Sequence, residues 1–345
     1  MSATKKRQHF VPQKYLKSWA SLNGHLSACI NGKIVTSINI INVAQETYFY
    51  KYEKLDYDEF CFVIDYLKSK LAIPQDFLQK HITSSYSPHV LRSLFNNEID
   101  EDFILILKKI FKENLFEKSM IDYVKSFGWI NKDMFLPTIP REPIFEDTIR
   151  EGEEELSFII EEQAWPYFEA ALSGDTSFFY TKEGFDRFVL FLIYQLFRTR
   201  RFLHISRNTN RFGEDGLRKI CSYIRYPLVA QIHLNLLKER EDYELTLINN
   251  PTELEFITGD HPLVNLDLSI PTRFWDLYYP LSPDKALFIS TRERIKTKYV
   301  LFETLTSLDV DYLNKKICSV CSKQVYASNM DTLVRYGYCA GLGQA

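Results

Sequence analysis

The segment HLSACINGKIVTSINII, residues 25–41, predicts where the chain first forms β-structure. Two runs that carry β-branched residues flank the pair Asn31-Gly32. Asn-Gly is a strong signal for a two-residue hairpin turn, because both positions of that turn need positive φ. We therefore predict an antiparallel hairpin here, preceded by an N-terminal arm with a short helix around Tyr15.

Apolar residues at three- and four-residue spacing predict a run of helices in the middle of the chain. Thr181 is the expected N-cap of one of them, and Pro227 should bend or interrupt another. Three prolines predict a loop over residues 129–146. The predicted helices cover residues 56–72, 85–128, 147–172, 181–203 and 214–239.

After residue 240 the pattern changes to the alternation that is typical of strands. We predict strands over residues 243–248 and 254–258, joined by the turn Asn249-Asn250-Pro251, and a further strand over residues 286–290. Two closing helices are predicted over residues 305–318 and 322–336.

The expected fold class is α+β, with a mainly helical body, an N-terminal β-hairpin and a small late antiparallel sheet. Residues 1–240 should form the arm, hairpin and helical body, with residues 73–145 as a candidate insertion. Residues 241–345 should form the small sheet and the closing helices, packed into the same globule.

Composition excludes some functions and leaves others open. The net charge of −3 gives no overall field that would recruit nucleic acid. No apolar run is long enough to cross a bilayer, and the charged N-terminus leads into Gln8 and His9 rather than an apolar signal core. We expect a cytoplasmic protein that does not engage membranes. The sequence lacks a P-loop, a G-x-G-x-x-G, an H-E-x-x-H and a G-x-S-x-G, so the corresponding enzyme classes have no support.

His9 is the first candidate site residue. It lies close to Pro12, which fixes the local backbone, and to the amide of Gln13. A fixed backbone suits a catalytic histidine. It also suits a histidine that ties the N-terminal arm to the body through hydrogen bonds, and the segment alone does not separate the two.

Asp260 is the second candidate, because it follows a predicted strand in the segment FITGDHP, residues 256–262. A carboxylate held rigidly at a strand end can act as a metal ligand or a general base. It can equally accept backbone N–H groups in an Asx-turn.

Gln195 and Arg198 form the third candidate, since they share a helix face with apolar residues. A buried amide or guanidinium needs a partner. The partner could be a substrate phosphate or carboxylate, or one of the acids Glu161 and Glu162 on the preceding helix.

Charge is distributed unevenly along the chain. Residues 187–225 carry nine Lys or Arg and two acids, whereas residues 142–162 carry nine acids and one Arg. The basic stretch, which includes Arg201, could grip a nucleic-acid backbone. It could instead pair with the acidic stretch.

The opening HFVPQKYL, residues 9–16, resembles the N-terminal signature of a bacterial family known as domain of unknown function 4238. Further blocks that resemble this family are Asn42-Val-Ala-Gln with Phe49-Tyr50, the helix with Gln195 and Arg198, residues 256–262, and Tyr279-Pro-Leu-Ser-Pro-Asp. One departure is Gly259, where the family pattern has Ser. The resemblance implies no reaction, but some members are associated with antiviral defence.

These observations lead to two hypotheses of different classes. In the first, the protein is an antiviral defence effector that acts as a metal-dependent nuclease. His9, Asp260, Glu161 and Glu162 would be catalytic, Asp260 would bind a divalent metal such as Mg²⁺, and Gln13, Gln195, Arg198 and Arg201 would bind the nucleic acid. In the second, the protein is a non-catalytic module that senses or binds a phage protein.

Overall fold

A computed structural model describes residues 7–47, 58–59, 62–63, 66, 158, 160–199, 201–202, 212–266, 275–298 and 305–336. These residues fall into two compact units that are discontinuous along the chain. The main unit contains the described residues within 7–47, 160–202 and 235–336, and the second unit contains those within 58–158 and 212–234. The candidate insertion at 73–145, the predicted helix over 85–128 and the predicted loop over 129–146 lie outside the described residues.

Helices and strands alternate irregularly along the chain, so the α+β prediction is confirmed. The strands are β1 (Arg7–His9), β2 (His25–Ile30), β3 (Lys33–Asn39), β4 (Gln45–Thr47), β5 (Tyr243–Asn249), β6 (Thr258–Gly259), β7 (Val264–Asn265), β8 (Leu277–Ser282), β9 (Lys285–Thr291) and β10 (Gln324–Ala327). The helices are α1 (Gln13–Leu16), α2 (residues 160–173), α3 (Lys182–Phe197), α4 (Gly213–Lys238), α5 (Arg292–Lys298), α6 (Ser307–Val320) and α7 (Met330–Tyr336).

The predicted N-terminal hairpin is confirmed as β2 and β3. Ile30 pairs with Lys33 across the turn, and Asn31 and Gly32 have φ of 50° and 76°. These are the positive values that a two-residue hairpin turn of this type requires.

The hairpin forms one sheet with strands from the end of the chain. Its order is β3-β2-β10-β6, so strands from both sides of residue 240 pair with each other. A second sheet, β5-β9-β8-β7, is the predicted late antiparallel sheet. Within the described residues, β1 and β4 make a separate two-stranded ladder that holds the N-terminal arm.

The strand predicted over residues 254–258 is wrong. The strand before it, β5, pairs with β9, and only Thr258 and Gly259 form a strand, which pairs with β10. The turn residue Asn250 instead binds the loop itself, because its side-chain nitrogen donates to the carbonyl of Leu254 at 2.7 Å. The backbone N–H of Phe256 then bonds to Pro283, which leads the chain away from a hairpin.

The helix predicted over residues 322–336 is also wrong in its first part. Residues 324–327 form β10, and the helix begins only at Met330. Val325, Tyr326 and Ala327 are all buried, which fits a central strand between β2 and β6. Apolar runs this short do not distinguish a buried strand from a helix by periodicity.

Helix α3 begins as predicted but ends early. Thr181 is its N-cap and accepts the N–H of Gly184 at 3.0 Å. The helix ends at Phe197 with Arg198 as C-cap, six residues before the predicted end at residue 203. Helix α4 runs without a break from Gly213 to Lys238 through Pro227, so an interruption at this proline, one of the two predicted outcomes, is wrong.

Tyr15 lies in the core of the main unit and contacts two other segments there. The side chain is fully buried and stacks on Tyr279 with ring centroids 5.0 Å apart. Its hydroxyl is 2.7 Å from Thr258 Oγ1 and donates to the carbonyl of Pro280 at 2.7 Å. The opening HFVPQKYL therefore contacts two other segments that resemble the family's blocks. These contacts position the N-terminal arm, and with it His9.

Candidate functional site

Arg198 is the centre of a polar cluster built from three separate segments. Its side chain is 4% exposed. One guanidinium nitrogen pairs with Glu161 on α2, and another donates to the backbone carbonyl of His9 at the end of β1. The ring of Tyr194, one turn earlier on α3, lies 5.2 Å from the guanidinium carbon. A buried arginine with two anchored hydrogen bonds fixes the backbone of His9 relative to α2 and α3.

The imidazole of His9 faces Gln13. The Nε2 atom of His9 is 2.7 Å from the side-chain nitrogen of Gln13, and the contact is partly buried. This contact ties the His9 ring to the first residue of α1. The residue as a whole is half-buried, so part of His9 remains accessible to solvent.

Two further charged residues lie beside this cluster. Lys14 pairs with Glu162, and both side chains are 41% exposed. The Lys14 ammonium also lies 5.4 Å from the ring centroid of Trp165. An exposed pair of this kind contributes little to stability, so these two side chains are available to exchange partners with a bound molecule.

Gln195 lies on the same face of α3 as Arg198 but differs from it in one respect. It is 0% exposed, and neither its amide nitrogen nor its amide oxygen has a hydrogen-bond partner among the residues that the structure describes. The partner that the sequence analysis required for this buried amide is therefore not found in the described part of the chain.

Asp260 is a clamp on the backbone that leads into β10. Its Oδ1 accepts the N–H of Ser322 at 2.8 Å, and its Oδ2 accepts those of Lys323 and Gln324 at 2.7 and 3.1 Å. Burial raises the pKa of this carboxyl to about 6, although the three backbone bonds act in the opposite direction. The geometry is that of a carboxylate which ends a strand and organises the neighbouring chain.

His261, the next residue, is a buried neutral histidine. Its Nδ1 atom bonds to the hydroxyl of Thr199. Burial, assisted by the positive charge of Arg201, lowers the pKa of the imidazole to about 3. Because Thr199 directly follows Arg198, the two polar clusters are adjacent along the chain.

These two shifts should be visible in the pH dependence of stability. In the unfolded chain His261 becomes protonated below about pH 6.5, whereas in the folded protein it stays neutral down to about pH 3. The folded protein therefore loses stability as the pH falls through that window. Asp260 has the opposite effect on stability. Between about pH 6 and pH 4 its carboxyl binds a proton more readily in the folded protein than in the unfolded chain, so it adds stability as the pH falls. The asparagine of His261→Asn does not titrate, so this variant should not lose that stability. Between pH 6.5 and pH 4 its free energy of unfolding should rise by about 3 kcal/mol relative to that of the wild type.

Urea unfolding at a series of pH values measures this difference. Asparagine is the matched replacement because its oxygen can accept the Thr199 hydroxyl in place of Nδ1. Parallel pH profiles for the two proteins would contradict the shifted pKa of His261.

The structure thus brings together four of the residues selected from sequence and separates others from them. His9, Gln13, Glu161 and Arg198 are linked by hydrogen bonds, with Glu162 next to them. Asp260 bonds to a different set of groups, and Arg201 acts on His261. Within the described part of the chain, no group of three or more His, Cys, Asp or Glu is arranged to hold a metal ion.

Lys14 and Tyr279 are residues that the sequence reasoning did not select. Lys14 lies inside the N-terminal signature directly after Gln13, and its membership of that signature is the signal that could have selected it. Tyr279 is buried, and its pKa is raised by burial and by the charge of Glu161 and lowered by Arg198, which locates its hydroxyl near that ion pair. No local pattern in the sequence points to this contact.

Among the helices that can be described, none has the length and apolar character needed to cross a membrane. No curated protein and no solved structure matches the chain. The sequence profile of one family, described as "Protein of unknown function (DUF4238)", matches residues 7–331. Because this match covers nearly the whole chain, and includes every residue of both polar clusters, the protein belongs to the DUF4238 family.

Proposed function

We propose that this protein is an antiviral defence effector that cleaves nucleic acid at the cluster formed by His9, Gln13, Glu161 and Arg198. The observation that carries the proposal is the way Arg198 holds His9. Buried Arg198, itself paired with Glu161, fixes the backbone of a histidine that is only half-buried. A histidine with a fixed backbone and a partly exposed surface is suited to general acid–base chemistry.

In the proposed reaction, a water or a ribose hydroxyl replaces the Gln13 amide at Nε2 of His9. His9 takes the proton from this nucleophile as it attacks phosphorus, and the protonated ring returns a proton to the oxygen that leaves. Lys14 supplies positive charge for the phosphate, since its ammonium is partly exposed. Arg198 and Glu161 act on His9 rather than on the substrate.

A divalent metal such as Mg²⁺ would need carboxylate oxygens that are not already committed. Glu161 is paired with Arg198, Glu162 is paired with Lys14, and Asp260 accepts three backbone N–H groups. These donors do not fit a Mg²⁺ site as they stand, so no step of the proposed reaction passes through a metal.

The test is cleavage of single-stranded RNA and DNA by the purified protein, with and without EDTA, alongside protection of cells against phage. His9→Ala should lower the cleavage rate by roughly 10²- to 10⁴-fold, the usual contribution of a general base. Protection should fall with it. The unfolding midpoint should change little, because the interaction with Arg198 uses the backbone carbonyl of His9.

His25→Ala is the matched control. His25 is also half-buried, on β2, and its ring bonds only locally to the carbonyl of Asn23 at 2.9 Å. It should cleave like wild type. If soluble His9→Ala protein cleaves at the wild-type rate, the proposed chemistry is wrong.

A second candidate function, a module that binds a phage protein, is favoured by a different observation. Leu308 and Tyr312 on α6 and Val334 on α7 are 79%, 50% and 60% exposed. Exposed apolar side chains on helices are common at protein interfaces. Protection that persists in His9→Ala, with cellular RNA and DNA intact, would favour this function over cleavage.

A further inference from the structure

Gln195 is held in an environment that costs stability. It is surrounded on α3 by buried apolar residues, including Phe191 and Leu192, and is itself 0% exposed. Leaving a buried amide without hydrogen bonds costs roughly 1–3 kcal/mol for each unpaired group, whereas leucine at this position would cost nothing of the kind. A polar residue retained at such a cost points to a function for its amide.

The position of the amide can be derived from the helix geometry. Residues 191, 195 and 198 lie on one face of α3, because they are four and three residues apart. On this face, the ring of Phe191 meets that of Tyr279 with centroids 6.4 Å apart. Arg198, on the other side, binds Glu161 and the carbonyl of His9. Along this face Gln195 therefore lies between Phe191, whose ring meets Tyr279, and Arg198, which binds the candidate catalytic cluster.

Tyr279 adds a second polar group that lacks a partner. Its hydroxyl is buried and has no hydrogen-bond partner in the part of the chain that the structure describes. The rings of Tyr15 and Phe168 pack against the Tyr279 ring, with centroids 5.0 and 6.4 Å away. Its hydroxyl is therefore fixed in place.

We propose that the Gln195 amide and the Tyr279 hydroxyl form an enclosed recognition site for an uncharged group that presents a hydrogen-bond donor and acceptor side by side. A glutamine amide is complementary to such an edge, since it offers one acceptor and two donors in a plane. Adenine carries this edge, and glutamine is one of the side chains that read it in pairs of hydrogen bonds. A primary amide carries the same chemistry.

The neighbouring charges favour an uncharged guest over an anion. Arg198, the nearest cation on this helix face, is already engaged by Glu161 and by the His9 carbonyl. Glu161 and Arg198 also act on Tyr279 in opposite directions, so this ion pair offers the guest no uncompensated charge. The site would thus bind a base rather than the phosphate. This inference deepens the proposed function and rests on it, because it takes the natural guest to be a base of the nucleic acid that the protein cleaves.

The experiment measures thermal unfolding of the wild-type protein, Gln195→Leu and Gln195→Met, alone and with adenosine or nicotinamide as probes. Without a probe, both variants should raise the midpoint by roughly 2–4 °C, because a buried unpaired amide has been removed. Adenosine or nicotinamide should raise the wild-type midpoint and leave those of the two variants unchanged. A shift with adenosine identifies a base as the guest, and a shift with nicotinamide alone identifies a primary amide.

Leu192→Met is the control for a conservative change on the same buried helix, and it should keep the wild-type response to the probes. The proposal is overturned if both Gln195 variants unfold at lower temperature than wild type, since an ordered water or a protein group would then satisfy the amide. It is equally overturned if neither probe shifts the wild type, or if the probes shift wild type and variants alike. Binding of the probes to His9→Ala separates the two proposals, because recognition at Gln195 should survive there even if no cleavage is detected in any protein.

Discussion

Replacing Asp260 with alanine is expected to lower the free energy of unfolding by about 3 kcal/mol or more. The substitution removes the acceptor of the buried N–H of Ser322 and of the partly buried N–H groups of Lys323 and Gln324. These groups lead into β10, which lies between β2 and β6 in its sheet. Loss of the clamp should therefore weaken the sheet that ties the N-terminal hairpin to the end of the chain. Chemical denaturation followed by circular dichroism measures the change.

Two further variants test whether the loss of stability in Asp260→Ala comes from the loss of its acceptor oxygens. Asp260→Asn retains one acceptor oxygen and should lose roughly half as much stability. Asp331→Ala, which removes an exposed aspartate in the first turn of α7, should change the unfolding free energy by less than about 1 kcal/mol. An Asp260→Ala protein of wild-type stability that has lost activity would instead favour a catalytic Asp260.

Gly259→Ala is the second substitution from which we expect a large loss of stability, about 3 kcal/mol. A Cβ atom at this position would lie 2.3 Å from Sγ of Cys321 and 2.6 Å from the backbone carbonyl oxygen of Gln324. Gly259 pairs with Val325 in the ladder between β6 and β10, so the strands would have to separate to make room. Both the cysteine side chain and the facing backbone thus leave no room for a side chain at residue 259. Urea unfolding provides the measurement.

A double-mutant cycle with Cys321→Ala tests the cause of this loss. Removing Sγ should recover part of the stability of Gly259→Ala, but the contact with the Gln324 carbonyl remains because it belongs to the backbone. Complete additivity of the two substitutions would show that Cys321 does not limit the space at residue 259.

Local sequence patterns were sufficient for some elements and insufficient for others. The Asn31-Gly32 turn determines its own conformation, and Thr181 caps α3 through atoms three residues away, so both could be predicted. Strand β10 could not, because its backbone is directed by Asp260, more than sixty residues earlier in the chain. The predicted strand over 254–258 was wrong for the same reason, since Phe256 bonds to Pro283 rather than to the preceding strand.

The candidate site shows the same division. Sequence spacing alone located Gln195 and Arg198 on a buried helix face and required partners for them, because the desolvation cost of a buried polar group is a local property. It also identified the family through the segment at residues 9–16. Only the tertiary structure decided that Arg198 holds the His9 carbonyl, that Asp260 clamps β10, and that Phe191, one turn before Gln195, meets Tyr279. These contacts join residues 60 to 190 positions apart, and such pairings depend on how the whole core packs rather than on any local preference.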